Sequence, residues 1–90
     1  MKGFVKDPDA TLDYSLDWGP WLETDTIISS SWVVEAPLVI KSGSEVFDTT
    51  TTGLFISGGV VGQKYSVTNQ ITTTAGRIDE RSFELRIRNR

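Results

Sequence analysis

The sequence predicts an all-β domain, an antiparallel β-sandwich of six to seven short strands. Apolar residues recur at every second position in several segments, and no stretch keeps a helical period for longer than one turn. Turn-forming residues separate these segments at intervals of about 8–12 residues. The chain has 90 residues, which is the size of one domain, so a single sandwich accounts for it.

The amino terminus is predicted to be an arm, comprising residues 1–10, and residues 11–90 are predicted to form the sandwich. The arm has few side chains to bury, and residues 7–9 read Asp-Pro-Asp, which is typical of a turn or an extended segment.

The first two strands are predicted on either side of a break. Residues 12–17 alternate apolar and polar side chains, and Gly19 and Pro20 end the strand because proline cannot donate to a ladder. The second strand is predicted at Thr26–Val34, with an inward face formed by Ile28, Ser30, Trp32 and Val34.

The middle of the chain has weaker signals. Leu38–Lys41 and Glu45–Asp48 are predicted to form a pair around a Ser-Gly-Ser turn, and Leu54–Ile56 is a further β-rich run. The threonine tracts Thr49–Thr52 and Thr72–Thr74 are assigned to edge strands, where polar β-branched residues pair without an apolar face.

The last two strands have the most regular alternation, in residues 65–72 and 82–88. They predict an antiparallel pair with one face turned inward. Together with the second strand they supply the predicted core: Trp32, Tyr65, Val67, Ile71, Phe83, Leu85 and Ile87.

Charge and cysteine content restrict the class of protein. Residues 1–45 carry three bases against eight acids, and residues 46–90 carry six bases against four acids, for a net charge of −3. Such a chain lacks the net basic surface that general nucleic-acid binding needs. No apolar run is long enough to span a bilayer, and no cysteine is present. We therefore expect no nucleic-acid partner, no membrane partner and no disulfide.

The residue types exclude most catalytic and metal chemistry. Histidine and cysteine are absent, which removes the usual general base and the usual ligands of zinc, iron and copper. We predict no catalytic residue, no cofactor and no metal site. The remaining alternative is calcium, because carboxylates are frequent in the first third of the chain, at Asp7, Asp9, Asp13, Asp17 and Asp25.

Trp18 and Trp21 flank the Gly-Pro break and allow two interpretations. They either cap one end of the sandwich or form an exposed anchor for a partner. The turn at residues 75–81 carries the alternating charges of Arg77, Asp79, Glu80 and Arg81. It is either a contact surface between copies or a hairpin with weak local ion pairs. We take these six residues as candidate interaction residues.

The segment at residues 51–73, TTGLFISGGVVGQKYSVTNQITT, resembles the corresponding part of fibronectin type III and other immunoglobulin-like sandwiches. The resemblance implies an immunoglobulin-like fold. It also implies that Tyr65 is a corner tyrosine whose hydroxyl ties the chain back on itself, and that Trp32 is the core tryptophan beneath it.

A second resemblance extends from about Asp7 to Arg90. LDYSLDWGPWLETDTIISSSWVV and the ending KYSVTNQITTTAGRIDERSFELRIRNR are similar to small tailed-bacteriophage virion proteins described as fibre–tail adaptors or connector-region components. The Ala-Gly-Arg-x-Asp-Glu-Arg motif is its most specific part. Gly53-Leu54-Phe55 departs from the Val-Trp-Leu type of strand that is common in this family.

This resemblance implies a non-catalytic virion structural protein, assembled in the host cytoplasm, that binds other phage structural proteins and forms homo-oligomers in the particle. The alternative is a carbohydrate- or surface-binding fibronectin-III-like module, in which exposed Trp18 and Trp21 would stack on sugar rings.

Overall fold

The computed structural model describes residues 2–89, which form two four-stranded β-sheets and one helical turn. The predicted β-sandwich is confirmed, with eight strands instead of six to seven. The elements are β1 (Lys2–Lys6), β2 (Leu12–Asp17), α1 (Gly19–Leu22), β3 (Ile27–Val34), β4 (Val39–Ile40), β5 (Val46–Phe47), β6 (Thr51–Ser57), β7 (Lys64–Thr73) and β8 (Ile78–Ile87). No helix in the described residues could cross a bilayer.

The first three strands alternate between the two sheets, the next three belong to sheet B and the last two belong to sheet A. Sheet A has the order β1-β8-β7-β3. In sheet B the central strand is β6, with β2 on one side and both β4 and β5 on the other. The orders β8-β7-β3 and β2-β6-β4 are consistent with the immunoglobulin-type orders G-F-C and B-E-D. Immunoglobulin-like connectivity stays a prediction.

The amino-terminal segment differs from the predicted arm, because Lys2–Lys6 pairs with β8 as a parallel edge strand. The Phe4 ring packs edge-on against Tyr14 and Phe83, with ring centroids 5.4 and 5.1 Å away. The Lys6 ammonium is buried and donates to the backbone oxygens of Asp7 and Gly58, both at 2.8 Å. Sequence analysis did not identify this strand because one of its inward residues, Lys6, is charged.

The burial of Lys6 has an electrostatic consequence. Removal of its ammonium from water disfavours the charged form and lowers the pKa of Lys6 below its ordinary value. Asp7 and Asp9 oppose this shift by their negative charge. The two carbonyl hydrogen bonds therefore compensate only part of the cost of burying the charge.

The core lies between the sheets and contains all seven predicted core residues in buried positions. Six of them belong to the main cluster, and Ile71 belongs to a second one, called here the end cluster, which consists of Trp18, Leu22, Ile27 and Ile71. The Tyr65 hydroxyl accepts a hydrogen bond from the backbone N–H of Val60 at 3.1 Å. This is the corner contact that the resemblance implies.

The inward face predicted for the second strand is wrong at one residue. Ile28 is 56% exposed, and Ile27 is buried instead. A register shift in the β3–β7 pairing lies between Ile27 and Ser29. An extra residue at a bulge reverses the alternation on one side of it, which strict period-2 reading cannot detect.

The edge-strand assignment of the two threonine tracts is also wrong. Thr51 and Thr52 begin β6, the central strand of sheet B, and Thr72 and Thr73 end β7, which lies between β8 and β3. Thr52 and Thr73 are buried, and both hydroxyls are used within the fold. Threonine's β-propensity suits a central strand equally well when its hydroxyl has a partner.

Candidate interaction site

One end of the sandwich brings together α1 and the hairpin between β7 and β8. Trp18 lies at its centre and is 0% exposed, so it caps the core and is not an exposed anchor. Its backbone N–H donates to Thr50, and its carbonyl accepts from Trp21 and Leu22. The single helical turn, with Pro20 near its start, folds Trp18 inward over Ile71. The prediction of Trp18 as a surface contact is therefore wrong.

Arg77, at the tip of the hairpin, lies over the half-buried Trp21 ring, with its guanidinium carbon 4.2 Å from the ring centroid. It donates to the carboxylate of Asp25 at 3.0 Å and to the carbonyl of Leu22 at 3.2 Å. A planar guanidinium can make a cation–π contact and forked hydrogen bonds at the same time. Arg77 therefore fastens the hairpin to the helical turn.

Arg81 makes the corresponding contact with Trp18, with its guanidinium carbon 4.2 Å from the ring centroid. It also donates to the carbonyl of Asp17 at 3.2 Å. The two tryptophan rings meet edge to face, 5.5 Å apart. Because both rings are stacked by arginines and one is buried, they do not form the pair of open rings on which a sugar-binding module would depend.

Asp25 holds the hairpin from the other side. Its carboxylate accepts the backbone N–H groups of Thr26 and Ala75 at 2.9 and 3.1 Å, besides the bond from Arg77. Hydrogen bonding lowers the pKa of Asp25 to about 2; the Thr73 side chain is the largest cause, and desolvation opposes it. The negative charge of Asp25 is thus part of what fixes this end.

We expect acid to loosen this end of the domain. The folded pKa of Asp25 is below its ordinary value of 3.8, so its contribution to stability is present above pH 4 and is lost as the pH falls towards about 2. Asp48 adds to the same trend, because the backbone N–H groups of Thr50 and Thr51 lower its pKa. Melting temperatures measured from pH 7 to pH 2 test this expectation.

The control compares two aspartates. Asp25→Asn removes the ionisable group, so its melting temperature should be lower at pH 7 and should fall less steeply between pH 4 and pH 2 than that of the parent chain. Asp13→Asn, on the exposed outer side of β2, should leave the slope unchanged. Equal slopes for the parent chain and Asp25→Asn would contradict the role assigned to this carboxylate.

Asn69 lies beneath the end cluster and joins the two sheets. Its carbonyl oxygen accepts from the Trp18 indole N–H at 3.0 Å and from the Thr52 hydroxyl at 2.7 Å. Its amide donates to the Ser30 hydroxyl and to the Ser31 carbonyl, both at 2.9 Å. The side chain is fully buried, and both of its donors and both acceptor positions are used.

The remaining candidate residues lie on the surface beside this network. Asp79 and Glu80 are exposed and follow Ile78, the first residue of β8, which is 65% exposed. The Asp79 carboxylate accepts the backbone N–H of Glu80, and neither acid takes part in an ion pair between described residues. Arg77 and Arg81 thus bond to other residues of the domain, whereas Asp79 and Glu80 are exposed to solvent. In residues 2–89 no group of side chains suits a metal ion.

Sequence reasoning missed the two residues that organise this end. Asn69 occupies an inward position in the most regular alternating strand, and a polar residue there was the signal for a buried hydrogen-bond hub. Asp25 carried no such signal, because its partners lie 48–52 residues later in the chain. Spacing along the chain does not indicate such pairs.

Comparison with known proteins gives one family. A family model described as "Podophage GP4 fiber-tail adaptor protein gp77" matches residues 6–86. The matched range includes α1 and all strands from β2 to β7, with most of β8. A search of the curated proteins finds no match.

Proposed function

Because the chain belongs to the gp77 family of podophage fiber-tail adaptor proteins, we propose that it is a non-catalytic structural protein that binds other virion proteins and joins tail and fibre components. The family match over residues 6–86 is the observation that carries this proposal. We place the protein in the virion after assembly in the host cytoplasm, with copies of itself and other phage structural proteins as partners, and without nucleic-acid or membrane partners.

The hairpin end supports this proposal as a contact surface for a virion partner. Two arginines, Asp25 and Asn69 fix the backbone there, so little conformational freedom is lost when a partner binds. Outside this network, Ile78 and Glu80 are exposed on the outer face of β8, and Asp79 is exposed on the opposite face. An apolar side chain beside a carboxylate suits a partner surface that combines an apolar pocket with a basic side chain.

Quantitative mass spectrometry of gradient-purified phage particles tests the virion role. A fixed number of copies per particle, such as a ring number, is the expected result and would also give the symmetry of the site. Absence of the protein from intact particles that contain the other structural proteins would overturn the adaptor proposal.

The contact surface itself is tested by Glu80→Lys. Since the Glu80 side chain is exposed, the reversal should leave the melting temperature within about two degrees, because surface substitutions rarely cost much stability. Incorporation into particles should fall by about tenfold through the lost charge complementarity.

Glu45→Lys is the matched control, because Glu45 is an exposed glutamate outside the hairpin, between β4 and β5. It should be incorporated like the parent chain. If Glu80→Lys enters particles as efficiently as Glu45→Lys, this part of the hairpin is not a contact surface.

A further inference from the structure

Strand β3 forms one edge of sheet A and leaves a row of backbone groups open. The N–H of Glu35 bonds to Ser66 of β7, and the direction of the backbone groups alternates along a strand. The N–H and C=O groups of Ser30, Trp32 and Val34 therefore point away from β7. In the described part of the chain β3 has no strand neighbour other than β7. Its first residue, Ile27, bonds to Thr49, and β5, which pairs with β6 in the other sheet, approaches β3 without a backbone hydrogen bond to it among the described residues.

The other sheet edges are less open to an added strand. β4 and β5 have two residues each, and β1 has five. β2 has six residues, but Asp13 and Asp17 are exposed on it, and charges of this kind protect an edge from pairing. β3 has eight residues and none of them is charged. Its bulge lies at the end that Thr49 already covers.

The surroundings of β3 favour a second copy of this chain as the added partner. Identical molecules bring like charges together, and sheet A has none along the middle of this edge. The nearest charges, Glu35 directly after β3 and Lys64 at the start of β7, lie at one end of it. In an antiparallel pair centred on Ser31 the two copies of Glu35 would be about 26 Å apart along the strands. In the adjacent strand β7 the outward residues Ser66, Thr68, Gln70 and Thr72 are uncharged, and only the first residue, Lys64, carries a charge. The charged residues of β8 lie two strands from the edge, so those of two paired copies would be about 24 Å apart, which exceeds the Debye length.

The outward side chains of β3 are also self-complementary. Exposed Ile28 and Ser29 stand at one end, Ser31 in the middle and Val33, which is 69% exposed, at the other. Antiparallel pairing centred on Ser31 would bring Val33 of each copy against Ile28 and Ser29 of the other. This contact covers two exposed apolar side chains per copy, both otherwise in water.

We propose that β3 is the contact through which two copies of this chain associate, antiparallel about a two-fold axis at Ser31. Ser30 then lies opposite Trp32 of the second copy, and these residues carry the open backbone groups, so each pair exchanges both hydrogen bonds. The two sheets A become one continuous sheet. This inference deepens the proposed function by naming a second copy of the chain as one partner. It rests on the proposed function only for the statement that copies meet during assembly.

The two-fold axis makes the register testable with single cysteines, since the chain contains none. Ser31 faces its own copy as a non-hydrogen-bonded pair, with the Cα atoms about 4.5 Å apart, which is within reach of a disulfide. Under mild oxidation, purified Ser31→Cys should cross-link at least roughly tenfold faster than Ser15→Cys, an exposed serine of edge strand β2.

Two further variants fix the register. Ser29→Cys alone should cross-link slowly, because Ser29 lies about 13 Å along the strand from its own copy. A mixture of Ser29→Cys and Val33→Cys should give the mixed dimer. Ser31→Lys, which places two ammonium groups opposite each other, should weaken the dimer by about tenfold in analytical ultracentrifugation while leaving the fold intact.

A chain that sediments as a monomer at all accessible concentrations, with Ser31→Cys no faster than Ser15→Cys, would overturn the inference. Fast cross-linking of Ser29→Cys alone would contradict the antiparallel register centred on Ser31 and would overturn the inference in that way. Cross-linking of Ser31→Cys only to a different virion protein in particles would show that β3 accepts a foreign strand instead. The sedimentation results and the cross-linking rates are measured on purified protein, so they are independent of whether particles contain the chain.

Discussion

Asn69→Ala is expected to destabilise the domain by about 3–5 kcal/mol, a large part of the roughly 5–13 kcal/mol typical of a domain of this length. The substitution leaves the Trp18 indole N–H and the Thr52 hydroxyl without their partner in a buried place. Each such group costs about 1–3 kcal/mol when it is left unpaired. Urea denaturation followed by circular dichroism measures the loss.

Two matched variants separate the causes. Asn69→Leu fills a similar volume without hydrogen bonds, so a loss close to that of Asn69→Ala would assign the effect to hydrogen bonding and not to a cavity. Gln70→Ala, at the next and exposed position of β7, should change stability by less than about 0.5 kcal/mol. If Asn69→Ala lowers the free energy of unfolding by less than about 1 kcal/mol, the buried hydrogen bonds of Asn69 do not stabilise the domain as described.

Trp18→Ala is expected to cost about 3–5 kcal/mol, because the ring is fully buried against Leu22, Ile27 and Ile71. The loss should appear in the purified protein, without any partner. If the variant instead melts within a few degrees of the parent chain and fails only in assembly, Trp18 is a surface anchor and the packing described here is wrong.

Coupling to Asn69 gives a second readout. Trp18 and Asn69 share a hydrogen bond, so the double variant should lose less stability than the sum of the single losses. Trp21→Ala should cost less, about 1–2 kcal/mol, since its ring is half-buried and Arg77 covers one face. Full additivity for Trp18 and Asn69 would show that the two side chains act independently.

Much of the sandwich could be predicted because its core strands alternate strictly. The strict period-2 alternation of the last two strands was sufficient to predict which of their residues point inward. Strand order could not be predicted in the same way. Periodicity reports which side of a strand is buried but not which strands are neighbours, so the threonine tracts were assigned to edges although both lie in central strands.

The candidate site was predictable in its residue types but not in its contacts. The concentration of tryptophan and arginine around residues 18–21 and 77–81 indicated side chains that meet at one end of the molecule. Their pairing joins Trp21 to Arg77 and Trp18 to Arg81, side chains that are 56 and 63 residues apart in the chain. Neither the burial of Trp18 nor the choice of Asp25 as the partner of Arg77 could follow from local sequence.

The parallel pairing of β1 with β8 determines how the domain bears tension. The first and last strands lie side by side and run in the same direction, from Lys2 opposite Phe83 to Lys6 opposite Ile87. A force that separates the two ends of the chain therefore slides these strands past each other and loads all of their hydrogen bonds together. An antiparallel terminal hairpin would instead open one bond at a time. The buried Lys6, bonded across to Gly58, adds a further obstacle to sliding, so tension applied between the two terminal strands meets the sandwich in its most resistant direction.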